Sequence, residues 1–254
     1  MKHSRLFVLS LVSAPLISIG CDVPGGRCVL AAAHGGAYPG TPGDPYLAIF
    51  YPRAVSEQGS CADDGSAFAA RAHQIYAETF GHFGSEPREV AWTPDEFAYD
   101  PDTGAPPDPG LDPIIRGRFT DSVVDASGLC TVEGSSIGQQ QLGGVLVSYE
   151  FRRVQVVDLA SVQGTEILAE VVVTRGDCSR AYDVLGIWPV VPCTTQADCN
   201  PLPDPEHGRP NGSDVLPSLP VECNTGPVLG DGQGNGHCFF PDASPAGFPF
   251  LAGT

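Results

Sequence analysis

The sequence predicts a mainly β fold: an antiparallel sandwich or barrel-like domain carrying one helix, followed by a small disulfide-rich module. Three observations predict it. Between Ile114 and Trp188, apolar residues recur at alternate positions in runs broken by Gly, Asp and Ser, as half-buried antiparallel strands require. Nine cysteines are present, and setting one aside leaves eight, an even set that reads as four disulfides in an oxidising compartment. Beyond residue 190, four of those cysteines sit among Pro, Gly and Asn with few periodic apolar residues, so disulfides must stand in for a core.

The β-rich domain spans residues 46–190. Tyr46–Tyr51 (YLAIFY) predicts its first strand, stopped by Pro52. Residues 66–80 predict the helix: Phe68, Ala72, Ile75, Tyr76 and Thr79 share one helical face, with Asp63 and Asp64 before it and Gly81 after it. Glu86–Asp112 reads as irregular, ending in the Pro/Asp loop DPDTGAPPDPGLD. Ile114–Asp125 and Leu129–Val132 predict strands around the turn Ala126-Ser127-Gly128. Val145, Val147, Tyr149 and Phe151 then alternate with polar residues. After Arg152-Arg153 the apolar phase moves to Val154 and Val156, which predicts a bulge. Glu166–Thr174 and Cys178–Trp188 complete an antiparallel meander through Arg175-Gly176-Asp177.

Residues 1–20 have the build of a signal peptide: Lys2 and Arg5, then the apolar run Leu6–Ile19, too short for a comfortable bilayer span. Ser18-Ile19-Gly20-Cys21 resembles a bacterial lipobox. The resemblance implies a diacylglycerol on Cys21, cleavage just before it and acylation of its new amino group. It also implies a membrane partner reached through lipid. The outer membrane, facing periplasm or exterior, is the expected location; the periplasmic face of the inner membrane or secretion are the alternatives. Residues 21–45, rich in Gly, Pro and Ala, read as a tether. Residues 191–240 form the module, Cys193-x5-Cys199-x23-Cys223-x14-Cys238, and 241–254 a loose tail. The CTTQADC opening and GHCFF close resemble short cysteine modules of predicted lipoproteins of Gram-negative gliding bacteria, which implies an extracytoplasmic lipoprotein of unassigned activity.

Thirty acidic residues face thirteen basic ones, a formal net charge of −17. That excess argues against nucleic acid and against electrostatic docking to anionic lipid. Lys2 is the only lysine, so the mature chain has none for Schiff-base chemistry or for a phosphate-binding loop.

Gly134-Ser135-Ser136-Ile137-Gly138 fits the nucleophile-elbow pattern, with His207 or His237 as a later base. The pattern needs a strand–turn–helix context, and no helix is predicted after Gly138. Asp100, Asp102, Asp108 and Asp112 are carboxylates on a flexible loop, and Asp231–Gly236 with Asp242 imitates a calcium loop; both read more simply as turns. Arg175-Gly176-Asp177 matches an adhesion tripeptide and equally a tight hairpin. His73 and His82 read as solvated. No catalytic set, metal site or cofactor is expected.

The favoured function is an envelope lipoprotein, non-enzymatic, with a binding or structural surface and an unassigned envelope or extracellular partner. The alternative is an exported hydrolase using Ser136 or a carboxylate/calcium site. Eight cysteines allow 105 pairings. Turn positions favour Cys130–Cys178, internal closure of the module favours Cys193–Cys223 and Cys199–Cys238, and Cys28–Cys61 remains.

Overall fold

The computed structural model describes Cys28, Leu30, Cys61 and residues 45–53, 70–80, 88–97, 108–157, 166–203, 205, 213, 220–230 and 232–241. Cys21, the tether up to residue 44 apart from Cys28 and Leu30, the tail beyond residue 241, and Asp100, Asp102, His34, His82, His207, Asp231 and Asp242 lie outside these.

One antiparallel sheet holds nine strands: β1 (Tyr46–Pro52), β2 (Arg71–Phe80), β3 (Glu89–Pro94), β4 (Ile115–Phe119), β5 (Leu129–Ser135), β6 (Ile137–Leu142), β7 (Val145–Val157), β8 (Glu166–Arg175) and β9 (Cys178–Ile187). Successive strands pair, except β5 with β6, and the order closes on itself, because β9 pairs with β1 while β5 pairs with both β4 and β7. The fold is therefore an up-and-down barrel, with β6 prolonging β5 past a kink at Ser136. The long strand β7 serves both: Val145–Glu150 pairs with β6, and Arg153–Val157 with β5.

The bulge expected from the shift of apolar phase is present. The β7–β8 register steps by one between Phe151 and Arg153. Arg152 is the extra residue, and the buried positions change from Val147, Tyr149 and Phe151 to Val154 and Val156.

The expected helix is not formed. Residues 71–80 are strand β2, paired to β1 and β3, and residues 66–69 lie outside the described set. The segment also carries a period of two, with Ile75 and Ala77 buried. Closing the barrel requires a strand between β1 and β3, and that tertiary demand overrides a modest helical pattern. Likewise β3 lies within a stretch read as irregular from sequence.

Inside the barrel, alternate residues of every strand form one core, including Tyr46, Phe50, Ile75, Trp92, Phe151, Val171 and Val184. The Trp92 and Phe151 rings stack at 5.6 Å. Gly117 makes this possible: a Cβ there would lie 2.6 Å from Val132 Cγ1 and 3.2 Å from the Trp92 ring.

The registers define two ends. Leu47, Leu129, Val157, Glu166 and Ile187 share one end; Val147, Arg175 and Cys178 share the other. Cys130 belongs to the first end and Cys178 to the second. They are separated by most of the ten-residue β9, roughly 30 Å at 3.3 Å per residue. The expected Cys130–Cys178 and Cys28–Cys61 pairings therefore give way to Cys28–Cys130 and Cys61–Cys178, one staple at each end. At the first end the Cys28 N–H donates to Ser122 O and the Leu30 N–H to Thr79 Oγ1, and both side chains are buried in the barrel core.

The module forms the expected Cys193–Cys223 and Cys199–Cys238 bridges. They hold a three-stranded sheet of β10 (Pro192–Cys193), β12 (Gly236–Phe239) and β11 (Glu222–Asn224). Its apolar residues Leu229, Phe239 and Phe240 form one cluster with Leu47, Ile49, Leu168, Leu185 and Ile187 on the outside of the barrel. The disulfides stay within each unit, and the apolar packing crosses between them.

Two outcomes are expected. Non-reducing peptide mapping should recover Cys28 linked to Cys130 and Cys61 to Cys178. Removing the second bridge, whose sequence separation is 117, should cost about 4–5 kcal/mol on the chain-entropy model, measured by denaturant unfolding. Gly117→Ala should cost about 1–3 kcal/mol by overpacking Trp92 and Val132, read by the same titration.

Candidate functional site

At the Cys61–Cys178 end the inward positions change character. Arg71 and His73 continue the inward phase of Ile75 and Ala77 on β2. Tyr149 lies on β7, Arg175 continues Val171 and Val173 on β8, and Arg180 and Tyr182 continue Val184 on β9. The chain leaving β3 turns over this end as a 3-10 turn, Asp95–Phe97. Phe97 is fully buried, edge-on to Tyr149 at 5.2 Å.

Glu96 reaches in from that turn. Arg175 Nη2 donates to Glu96 Oε2 at 2.8 Å and Oε1 at 3.1 Å, and the Tyr149 hydroxyl donates to Oε1 at 2.5 Å. Arg71 Nη2 in turn donates to the Tyr149 oxygen at 2.9 Å. Burial pushes the Tyr149 hydroxyl well above its ordinary pKa, with Glu96 adding to the rise and Arg71 and Arg175 opposing it, so it stays a neutral donor. Asp95 Oδ1 lies 3.3 Å from His73 Nδ1. Phe50 forms an aromatic wall, edge-on to His73, Tyr149 and Tyr182.

Among the described residues, the buried Arg71 Nε, Arg175 Nε, His73 Nε2 and Tyr182 hydroxyl have no hydrogen-bond partner. Tyr182 is fully buried. Burial raises its pKa, while the charges of Arg71, Arg180 and Arg175 all act to lower it, so three guanidinium groups lie within electrostatic reach of one hydroxyl. Among the described residues Arg175 is ion-paired with Glu96, and Arg71 has no carboxylate partner.

The residues singled out from sequence fall elsewhere. The eight cysteines of the disulfide set are all bridged. Ser136 sits at the β5–β6 kink, where its Oγ accepts the Arg116 N–H at 2.7 Å and strand β6 follows directly. His237 Nδ1 lies 2.9 Å from Leu229 O within the module. Asp108 and Asp112 cap their own turns, accepting the Gly110 and Ile114 N–H groups. Gly232 and Gly234 adopt positive φ, as turn glycines do. Arg175-Gly176-Asp177 is the β8–β9 hairpin, but Arg175 is directed inward to Glu96. His73 is a correction: its side chain is 11 % exposed and belongs to the barrel interior, because β2 is a strand.

Sequence reasoning missed Arg71, Glu96, Tyr149, Arg175, Arg180 and Tyr182 as a group. The available signal was phase: Arg175 and Arg180 keep the inward parity of Val173 and Val184. A charge in step with core residues marks a position where the interior turns polar.

A concavity of about 110 Å³ lies on the outer face of β7–β9, lined by Arg53, Arg153, Gln155, Leu168, Glu170 and Asp183. Its charges are matched, with Arg53 bridging Asp183 and Glu170.

The chain belongs to the MlpA family, whose model matches residues 51–189. That span runs from the end of β1 past β9: it takes in strands β2 to β9, without most of β1 and without the cysteine module. No curated protein and no solved structure matches the chain.

Glu166 gives the fold a pH dependence. It lies in the register row of Leu47, Val157 and Ile187, which pack towards the module, and is 7 % exposed. Burial lifts its pKa from 4.5 to about 7. The folded chain then holds a proton that the unfolded chain has lost, so stability falls as pH rises from 4.5 through 7, by up to about 3 kcal/mol. Melting temperatures should therefore drop between pH 5 and pH 8, and Glu166→Gln should flatten that drop.

Proposed function

We propose that the protein is an exported, lipid-anchored envelope protein that binds rather than catalyses, with the arginine-lined end of the barrel as its binding site. The observation that carries this reading is Arg71, a half-buried charge on the inward side of the barrel with no carboxylate partner among the described residues, beside donors on Arg175 and Tyr182. A half-buried charge is only partly solvated, and an anion at this end of the barrel would meet it. An eight-stranded barrel of this size has room for side chains or one small ligand.

Export and anchoring are supported by the resemblance of Ser18-Ile19-Gly20-Cys21 to a lipobox and by four disulfides, which persist in oxidising compartments. Lipid on Cys21 would supply the membrane partner, with the outer membrane as the location; among the described residues no helix is long and apolar enough to cross a bilayer. Nothing in the geometry favours hydrolysis at Ser136, whose hydroxyl is engaged by backbone.

Cells fed a labelled fatty acid should label the wild type and not Cys21→Ser, and the mature amino terminus should be residue 21 by mass spectrometry. A different terminus would sink the anchor. Turnover in a screen of ester, peptide and glycan substrates that is lost in Ser136→Ala would overturn the non-enzymatic reading.

A further inference from the structure

Resting on the reading of Cys21 as a lipid anchor, we infer that a leash ending at Cys28 holds the barrel with its Cys28–Cys130 end towards the bilayer and its arginine-lined end pointing away.

The Cys28 bridge sets the geometry. A free chain from Cys21 to the start of β1 could reach roughly 80 Å. The fold ends that freedom at Cys28. Its sulfur is bonded to Cys130, with the Cα atoms 5.5 Å apart. Its N–H donates to Ser122 O at 3.1 Å, and the residue is 1 % exposed within the barrel core. Leu30 fastens the same end, its N–H on Thr79 Oγ1 and its side chain in the same core. Seven residue steps then separate Cys21 from Cys28, at most about 25 Å when fully extended.

That reach selects the end. The two ends of the barrel lie roughly 30 Å apart along the ten residues of β9. An inverted barrel would lift Cys28 farther from the headgroups than the leash extends. Cys28 and Leu30 are packed inside the barrel, so the chain enters through the mouth at this end. A leash leaving that mouth is shortest when the mouth faces the bilayer, and lying flat stretches it.

The surface turned to the lipid is the β4–β5 loop, which carries the Ser122 carbonyl that receives Cys28. Asp125 Oδ1 accepts the Ser127 and Leu129 N–H groups, so this loop is a built turn. Val123 is 49 % exposed, between the exposed carboxylates of Asp121 and Asp125. One valine between two acids fits a neutral headgroup layer, and anionic lipid would repel it. The acyl chains on Cys21 supply the affinity, and the loop supplies the contact.

The test uses the full lipidated protein in phosphatidylcholine vesicles that carry a quencher on some headgroups. Lys2 is the only lysine and precedes Cys21, so one introduced lysine gives the mature chain a single side-chain amine for a fluorophore. Ser127→Lys marks the β4–β5 loop and Asp177→Lys the β8–β9 hairpin at the other end; both positions are exposed. Quenching at Ser127→Lys should exceed that at Asp177→Lys roughly twofold or more, given ends roughly 30 Å apart. Inserting about ten Gly and Ser residues after Gly25 lengthens the leash; it should narrow that gap and leave the Tm unchanged. Equal quenching at both positions, as in a barrel lying flat, or the reverse order would overturn the orientation while the anchor stands. A gap that the insertion leaves untouched would show that the leash does not set it, and would overturn the inference too. Protein that does not float with the vesicles at all would sink the anchor reading itself.

Discussion

The pairing of β1 with β9 is the constraint on which the rest depends. It turns a meander into a ring and removes the exposed edges that an open sheet would offer to other chains. It also assigns every side chain to one of two sides. Once closed, the interior must be filled by alternate residues of eight strands. Trp92, Phe151, Tyr46 and Phe50 then compete for one volume, and Gly117 is held small by the ring beside it. Arg152 lets β7 change phase, so that one long strand keeps apolar residues inward along its whole length and serves two neighbours in turn.

Closure also creates two ends that need different treatment. One is sealed by Cys28 and Leu30, with a disulfide to β5. The other is crossed by the 3-10 turn at Asp95–Phe97 and tied by Cys61–Cys178. Both staples close loops of more than one hundred residues, where cross-linking removes most entropy from the unfolded chain. The cysteine module uses short internal bridges and then borrows a core from the outer wall of β1, β8 and β9. A segment with so few apolar residues gains most by covering an apolar patch that already exists.

The chemistry of the arginine-lined end contrasts with the charge of the chain as a whole. A strongly acidic surface keeps molecules apart in solution. Within the barrel the sign is reversed locally, by arginines that continue the inward phase of valines. Among the described residues Glu96 pairs with Arg175, and the Tyr149 oxygen accepts from Arg71. Fold and site are joined here: the same closure that sets the core volume brings Arg71 on β2 and Arg175 on β8 to one end.

The sequence by itself determined the mainly β class, the strands β1, β4, β5, β7, β8 and β9, the bulge at Arg152 and the two bridges of the module. These follow from local alternation, turn residues and the lack of a core after residue 190, which depend only on near neighbours in the chain. Tertiary structure alone decided that residues 71–80 are strand, that the sheet closes, that Cys28 and Cys61 reach opposite ends, and that Arg71, Tyr149, Arg175 and Tyr182 meet. Those outcomes depend on which strands become neighbours and in which register. Residues as far apart in the chain as Leu47 and Ile187 were brought together by ring closure, and no local pattern encodes that distance. His73 shows the difference at one position: as a helix residue it faces solvent, and as a strand residue in phase with Ile75 it lies against Phe50.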